Sequence, residues 1–351
     1  MLEAQKQSGG DQSVIVQASG DVTINSGLSY QDVRQISADV FSQNFFNLSQ
    51  EAGDLAAKRA IEATEAFLAE QKKRGKASVD AAKDPGFQSA LFEVQKEYAK
   101  TGDRDLVSLL VEVLSDRAEK NERDVCQITL DEALKVAPKL TTAQINSLSL
   151  NFLFTRTQEP ELASFDSLRI YLNSVVSPLL GSYSISNSSF EHMAYCGAIS
   201  TEMLRQHPLY DYFWRVYPGL FCCGFTEELL GNASPVSNKL RPYLITCLHD
   251  PSKLQFRALN DLVLTQFCKE VGIIAEESKT FIELQNNHRL PDDRMRTFLS
   301  ELLPAFQRFW DSWGSSRFQN STPTNVGIAI ATANIRRVTP KKMDLKDWVT
   351  D

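Results

Sequence analysis

Apolar residues recur three and four positions apart along most of the chain, which is the spacing of one face of an α-helix. The first such run follows Gly27 and comprises Val33, Ile36, Val40 and Phe41. Ser29, with Asp32 three residues later, is typical of a capping box and predicts that a helix begins there. The pattern predicts a mainly α protein with a multi-helix globular body.

A second predicted helix carries a stripe that is rich in alanine. Its members are Leu48, Ala52, Leu55, Ala56, Ala60, Ala63 and Phe67. Because small side chains let two helices approach closely, we expect this face to pack against another helix or against another subunit.

Capping boxes and apolar runs predict further helices. Thr129 with Glu132, Thr141 with Gln144 and Ser188 with Glu191 all have capping-box spacing. The second box opens residues 145–154, a run so apolar that we expect it at the centre of the core. Residues 209–225 and 299–313 are dense in aromatic side chains and are predicted to be buried, because aromatics dominate core packing. A ligand or peptide groove is the alternative for residues 209–225.

Two segments depart from helical spacing. Residues 14–17 and 22–24 are rich in β-branched side chains and flank a turn-like sequence, which predicts a short β-hairpin or two rungs. A lone two-stranded hairpin is marginal in water, so this segment is expected to need a partner. Residues 325–336 suit a β-strand or a small-residue helix. We favour a C-terminal strand, since β-branched residues recur and a proline precedes them.

Breaks in these patterns suggest four regions. Residues 1–28 form a polar tail with the β-forming assembly segment, and residues 29–125 form an N-terminal helical region. Residues 126–320 form a helical core domain, and residues 321–351 form a C-terminal strand with a basic tail. The charged stretch around Gly75 is the best internal linker. No repeat with a period of 20–50 residues is visible, so a regular solenoid is not expected.

Composition narrows the class of protein. The 351 residues are 42% hydrophobic and 23% charged with a net charge of -7, which is typical of a globular protein without broad attraction to nucleic acid or anionic membranes. Neither a signal peptide nor an apolar run of ~18 residues is present. The six cysteines include no C-x-x-C pair, which favours reduced thiols. We therefore expect a soluble, cytoplasmic protein.

The histidines provide no recognisable catalytic or metal-binding motif. They are His192, His207, His249 and His288. Their spacing matches no zinc motif, so no metal is expected. His249 is interpreted as a favourable charge near the C-terminal end of a helix. No phosphate-binding loop or dinucleotide fingerprint occurs, and no cofactor is expected.

Other catalytic patterns fail on spacing or context. Adjacent Cys222 and Cys223 are interpreted as part of an aromatic core rather than as nucleophiles. Residues 277–279 (ESK) lack the flanking strands of a restriction-type nuclease site. Arg205 and His207 have the wrong spacing for helical ribonucleases, and the proline that follows would break a helix.

Two short basic segments are the remaining candidates for binding. The first comprises Lys72, Lys73, Arg74 and Lys76. The second comprises Arg336, Arg337, Lys341 and Lys342. A solvated surface is the favoured interpretation of both in an acidic chain, and phosphate contact is the alternative.

Five stretches of the chain resemble a family of uncharacterised bacterial proteins with a β-forming N-terminal segment and a helical body. They are residues 15–25 (IVQASGDVTIN), 27–34 (GLSYQDVR), 130–141 (LDEALKVAPKLT), 148–153 (LSLNFL) and 326–336 (VGIAIATANIR). The resemblance implies no activity and no catalytic residues. Similar β-forming openings occur on bacterial proteins associated with phage conflict, which implies a role in antiviral defence.

Three hypotheses of function follow. The first is a non-enzymatic, homo-oligomeric helical scaffold or sensor in bacterial antiviral defence, with a phage or host protein as ligand. Its assembly face would comprise Val14, Ile15, Val16, Val22 and Ile24. The second is an effector enzyme, a nuclease or hydrolase, with a dispersed site drawn from His192, His207, Cys222 or Glu277. The third is a nucleic-acid-binding protein that uses Arg336, Arg337, Lys341 and Lys342.

Overall fold

The computed structural model describes residues 29–44, 50–75, 80–119, 122–160, 162–202 and 204–350. The predicted β-forming segment at residues 14–24, with its five assembly positions, lies outside these residues. Both the hairpin and its role in assembly therefore stay predictions.

Helices dominate the described residues, which confirms the predicted mainly α fold. In chain order the sixteen α-helices of this part of the chain are α1 (Tyr30–Asn44), α2 (Gln50–Lys73), α3 (Pro85–Thr101), α4 (Arg104–Arg117), α5 (Val125–Val136), α6 (Thr142–Arg156), α7 (Phe165–Tyr171), α8 (Ser177–Leu180), α9 (Asn187–Tyr195), α10 (Leu209–Val216), α11 (Glu227–Ala233), α12 (Asp261–Glu270), α13 (Ala275–Asn287), α14 (Asp292–Leu302), α15 (Ala305–Gly314) and α16 (Asn325–Val338). A π-helical turn, Leu172–Val176, joins α7 to α8.

Within the described residues, four three-residue strands form two small antiparallel sheets. Strands β1 (Ile199–Thr201) and β4 (Ser321–Pro323) pair with Ile199 opposite Pro323. Strands β2 (Leu244–Thr246) and β3 (Leu254–Phe256) pair with Leu244 opposite Phe256. The sheets fasten loops between helices and do not form a layer of their own.

The N-terminal helices form as their local signals predict. The Ser29 amide donates to Asp32 Oδ2 at 2.9 Å, and the Asp32 amide donates to Ser29 Oγ at 3.2 Å, so the predicted capping box opens α1. The alanine stripe of α2 is buried at Ala56, Ala60 and Ala63, where α2 packs against α3 and α4. Other helices of the same chain therefore cover this part of the stripe, whereas Ala52 and Leu55 are exposed and Leu48 lies outside the described residues.

Helix α6 lies at the centre of the core, as its apolar sequence predicts. Thr141 and Gln144 form the predicted capping box, and every residue from Gln144 to Phe154 is buried. Because α6 is buried on all sides, its polar residues must find partners inside the protein. Helix α16 packs along α6 and also contacts α4 and α5.

The prediction of a strand at residues 325–336 is wrong, because these residues form α16. Thr324 caps this helix by accepting a hydrogen bond from the Gly327 amide at 3.1 Å. All residues from Gly327 to Ile335 are buried, so the small side chains serve close packing between helices rather than a pleated sheet. The neighbouring strand is β4, which ends two residues before α16 begins.

Two predicted helix starts are also displaced. Thr129 lies inside α5, which Asp124 caps by accepting from the Gln127 amide at 2.6 Å. Ser186, rather than Ser188, caps α9. In both cases a better-placed side chain a few residues upstream satisfies the first free amides of the helix.

Within the described residues the core divides into one large cluster and two small ones, the smallest of which comprises Phe41, Ala56, Ala60 and Ala99. The large cluster draws on residues from Val33 to Val349 and includes the predicted aromatic residues of α10 and α15, which confirms that these segments are buried. The other small cluster lies within residues 225–284 around Phe225, Phe256 and Phe281. No helix in the described part of the chain is both long and apolar enough to cross a bilayer.

Candidate functional site

Three of the four candidates for a dispersed catalytic site have separate partners. His192 Nδ1 lies 3.0 Å from Gln144 Nε2, and His207 Nε2 lies 3.0 Å from Glu202 Oε2. Cys222 is buried, and burial raises the pKa of its thiol to about 12, so it stays protonated. Glu277 lies in the first turn of α13, and no hydrogen bond or ion pair of the described residues joins it to the other three. Among the residues that the structure describes, no three metal-ligating side chains form a cluster.

His249 does not lie at a helix end, which corrects its interpretation as a C-terminal charge. It follows β2, and its Nε2 donates to the Leu220 carbonyl at 2.8 Å. Its ring lies 4.9 Å from the rings of both Phe165 and Phe298. The fold therefore places this half-buried imidazole against two aromatic rings rather than at the end of a helix.

Lys73 and Arg74 of the first basic segment and Arg336, Lys341 and Lys342 of the second line one cavity of about 570 Å³, which we name the charged groove. Lys76 of the first segment lies outside the described residues. The end of α2, the last turns of α4 and the segment after α16 line it. Its charged residues are Glu70, Lys73, Arg74, Glu112, Asp116, Glu119, Arg336, Lys341, Lys342, Asp344 and Lys346. Both carboxylates and cations therefore line the charged groove.

Two acidic side chains of α4 bridge the two arginines of the charged groove. Arg74 lies 2.8 Å from Glu112 Oε2 and 2.8 Å from Asp116 Oδ1. Arg336 lies 2.6 Å from Asp116 Oδ2 and 3.4 Å from Glu112 Oε2. Burial lowers the pKa of Arg74, but the hydrogen bonds and charges of Asp116, Glu70 and Glu112 together outweigh burial and raise that pKa above its ordinary value.

The other predicted phosphate contacts are also engaged within the chain, with one exception. Arg337 lies 3.2 Å from Asp105 Oδ1 and donates to Asn334 Oδ1 at 3.0 Å. Lys341 pairs with the carboxylate of Glu159. Lys342 is exposed and has no ion-pair partner among the described residues. A polyanion at this surface would compete with carboxylates that already hold three of the four cations.

A second cavity, of about 590 Å³, lies between residues 180–187 and helix α15, and we name it the serine pocket. Its lining residues are Leu180, Gly181, Ser182, Tyr183, Ser184, Ile185, Ser186, Asn187, Arg308, Ser312, Ser315 and Ser316. Six of them are serines, one is an arginine, and no acidic side chain is present in this described lining. The pocket is thus rich in hydrogen-bonding groups and carries positive charge.

Helix α6 holds the loop of the serine pocket from below. Asn146 Nδ2 donates to the Ser182 carbonyl at 2.7 Å. The Ser184 amide donates to Ser147 Oγ at 2.8 Å. Asn146 and Ser147 are themselves buried, so these contacts fix the loop to the rigid core. Two of the polar residues inside α6 thereby acquire a structural role.

Several polar groups of the serine pocket have no partner within the described chain. They are the Arg308 guanidinium, the hydroxyls of Ser182 and Ser184, the Asn187 amide and the buried Tyr183 hydroxyl. The N-terminus of α9 also opens at this pocket, since Ser186 and Asn187 belong to its first turn. A helix N-terminus and an arginine both favour an anion, and the hydroxyls add hydrogen bonds to a polar ligand.

No motif in the sequence predicts the serine pocket. Residues 180–187 look like an ordinary polar turn, and Arg308 is a single cation within an aromatic helix. A serine-rich loop beside a helix start is the one local signal, and it is common in structures that bind nothing. The pocket exists because α6 and α15 bring the two segments together.

One comparison with known proteins finds a match. A protein-family model whose description reads ":-like" matches residues 27–349, and this description names no activity. No curated protein and no solved structure matches the chain. The matched range contains both the charged groove and the serine pocket, and it excludes residues 14–24.

Proposed function

We propose that this chain, which belongs to the family whose model spans residues 27–349, is a sensor that binds a small anionic molecule in the serine pocket. The observation that carries the proposal is Arg308, whose guanidinium has no ion-pair partner in the described chain and lies among serine hydroxyls in a cavity whose described lining contains no acidic residue. Its ligand would be a polar molecule that carries a phosphoryl or similar group.

The charge of the pocket supports an anionic ligand. Arg74 and Arg336 each contact two carboxylates of their own chain, whereas Arg308 faces only neutral groups in the lining. An arginine can donate two parallel hydrogen bonds to a phosphoryl or carboxylate group. A volume near 590 Å³ lies within the range of small-molecule sites.

The binding proposal is tested by thermal unfolding in the presence of inorganic phosphate or glycerol 3-phosphate, with chloride at the same ionic strength as reference. A ligand that binds only the folded state stabilises it by roughly 1 to 3 kcal/mol at 10 to 100 times its Kd. We expect phosphate to raise the midpoint temperature of thermal unfolding for the wild type and not for Arg308→Gln.

Arg294→Gln is the matched control, since Arg294 is an exposed arginine on the neighbouring helix α14 without an ion pair in the described chain. It should keep the wild-type response to phosphate. A wild type that shows no shift, or an equal shift in Arg308→Gln, would overturn the proposal.

We further propose that the sensor assembles through its N-terminal segment, as the sequence suggests, and acts in bacterial antiviral defence. The apolar residues at positions 14–16, 22 and 24 have too little surface to be stable alone, which motivates a contact between subunits. Deleting residues 1–27 should lower the number of subunits per particle, as calculated from the mass measured by light scattering. An unchanged number of subunits would reject this assembly.

Nucleic-acid binding is the second candidate, because residues of two basic segments far apart in sequence meet at the charged groove. Lys342 and Lys346 are its exposed cations without an ion pair in the described chain. Binding through them would weaken steeply with salt, and Lys342→Ala with Lys346→Ala would reduce that salt dependence. Salt-independent or absent binding in a gel-shift titration would exclude this function.

A further inference from the structure

The aromatic helix α10 borders a cavity of about 250 Å³, which we name the arginine cavity. Phe154, Tyr212 and Trp214 supply aromatic side chains to its lining, and Pro208 adds an apolar ring. All three aromatic residues belong to the large core cluster, so the cavity reaches from the surface to the core. Part of the aromatic segment 209–225 therefore borders a cavity in which a ligand could lie, even though most of the segment is buried.

The arginine cavity carries positive charge. Arg205 and Arg215 belong to its lining, both are exposed, and neither forms an ion pair within the described part of the chain. Asp211 is the one acidic residue of the described lining, and it pairs with Arg289 at 3.0 Å. Because two arginines face one aspartate, the lining attracts a monoanion.

The segment before α10 is fixed by residues that precede β4. The His207 amide donates to the Gln319 carbonyl at 2.6 Å, and Trp313 Nε1 donates to the His207 carbonyl at 2.8 Å. Asn320 Nδ2 donates to the Arg205 carbonyl at 3.3 Å. Arg205 therefore reaches the cavity from a main chain that three hydrogen bonds hold beside α10.

Two further features preserve the positive charge of the arginine cavity. His207 Nε2 lies 3.0 Å from Glu202 Oε2, so this carboxylate compensates a proton on the imidazole. Pro208 precedes α10, and no side chain caps the helix. The partial positive charge of the first turn of α10 therefore adds to that of the two arginines.

We propose that the arginine cavity binds a small aromatic carboxylate. Its carboxylate accepts charge-assisted hydrogen bonds from Arg205 and Arg215, and its ring packs against Trp214. The volume of about 250 Å³ lies below the roughly 300 Å³ at which ligand pockets usually begin, so the ligand is small. A phosphoryl dianion fits this cavity less well, because Asp211 repels its second charge and aromatic walls supply few hydrogen bonds.

This site goes beyond the serine pocket and does not depend on it. Titration calorimetry of the full chain with phenylacetate at constant ionic strength measures the Kd. We expect the Kd to rise at least about tenfold in Arg205→Gln and in Arg215→Gln, because each variant loses a charge-assisted contact. Both side chains are exposed, so neither substitution disturbs the core.

Arg257→Gln is the matched control, since Arg257 is an exposed arginine outside the lining without an ion pair in the described chain. It should bind phenylacetate like the wild type, and so should Arg308→Gln, which alters the serine pocket alone. A wild type that does not bind phenylacetate, or an equal Kd in either cavity variant, would overturn the proposal. Loss of binding in Arg308→Gln would also overturn it, because the ligand would then occupy the serine pocket.

Relatives of the probe separate the two halves of the ligand. Acetate lacks the ring, and phenylacetamide has the ring but no charge. We expect phenylacetate to bind at least about tenfold more tightly than either compound, because the ring and the charge each contribute. Equal binding of acetate would show that the aromatic walls contribute nothing, and equal binding of phenylacetamide would remove the arginines from the site. Either result contradicts the proposed class of ligand.

Discussion

At the scale of single residues, His249 shows how the fold selects a protonation state. Burial lowers the pKa of its imidazole, and nearby Arg294 lowers it further, while the hydrogen bond to the Leu220 carbonyl raises it. The net shift is downward, so the neutral form is favoured in the folded protein. The packed rings of Phe165 and Phe298 fit a neutral ring better than a cation without a partner.

This lowered pKa predicts a stability that depends on pH. Below about pH 6.5 an unfolded histidine binds a proton that folded His249 resists, so the unfolded state gains protons first. The contribution to stability is present above pH 6.5 and is lost as pH falls through the lowered pKa of the folded state. Between pH 7.5 and pH 5.5, the unfolding free energy measured with urea should therefore fall less in His249→Gln than in the wild type. Equal losses would contradict the prediction.

Asn334 illustrates a buried polar residue whose every bond is internal. Its Nδ2 donates to Asn146 Oδ1 and to Ser149 Oγ, both at 3.0 Å, and its Oδ1 accepts from Arg337. These contacts join α16 to α6 and reach the same Asn146 that supports the serine pocket. The sequence shows an asparagine in an apolar run, but only the fold shows that it links two helices.

At the scale of elements, α16 can contact the segment before β1 only because Gly327 has no side chain. A Cβ at Gly327 would lie 1.9 Å from the carbonyl oxygen of Ala198. The same carbonyl accepts from the Thr324 amide at 3.1 Å, so it cannot move away without a loss at the helix start. Close approach of backbone to backbone therefore requires glycine at this position.

Gly327→Ala should destabilise the protein by at least about 2 kcal/mol, because the added methyl group forces two main-chain segments apart. Gly53 is the matched control, since it lies within α2 and a Cβ there meets nothing within 4 Å. Gly53→Ala should instead stabilise the protein by about 0.5 to 1 kcal/mol. Chemical denaturation measures both, and a similar effect of the two substitutions would contradict the packing of α16.

At the scale of the whole molecule, the charged groove connects the first helices of the chain to the last. Arg74 directly follows α2, Glu112 and Asp116 belong to α4, and Arg336 belongs to the last turn of α16. Their side chains are only 11–19% exposed, so their attraction is screened less than that of a surface pair. The network thus fixes α16 against the N-terminal helices.

Arg336→Met should cost roughly 3 kcal/mol of unfolding free energy, because it leaves two partly buried carboxylates with a single arginine. Arg169→Met provides the control, since Arg169 and its partner Asp166 are 59% and 82% exposed and such a pair contributes little. The two variants are compared by chemical denaturation. A loss in Arg336→Met no larger than in the control would show that the network does not stabilise the fold.

The sequence by itself determined the helical class, the start of α1, the capping box of α6 and the burial of residues 145–154. These features depend on spacing and on side chains within a few residues, and such information is local. Only the tertiary structure decided that residues 325–336 are a helix, because small and β-branched residues fit either state until α6 and α4 surround them. The tertiary structure also decided which residues form the two candidate sites. Arg336 looks like a phosphate contact until Asp116 lies 2.6 Å away, and Arg308 looks ordinary until α6 brings a serine loop beside it, since charge partners come from distant parts of the chain.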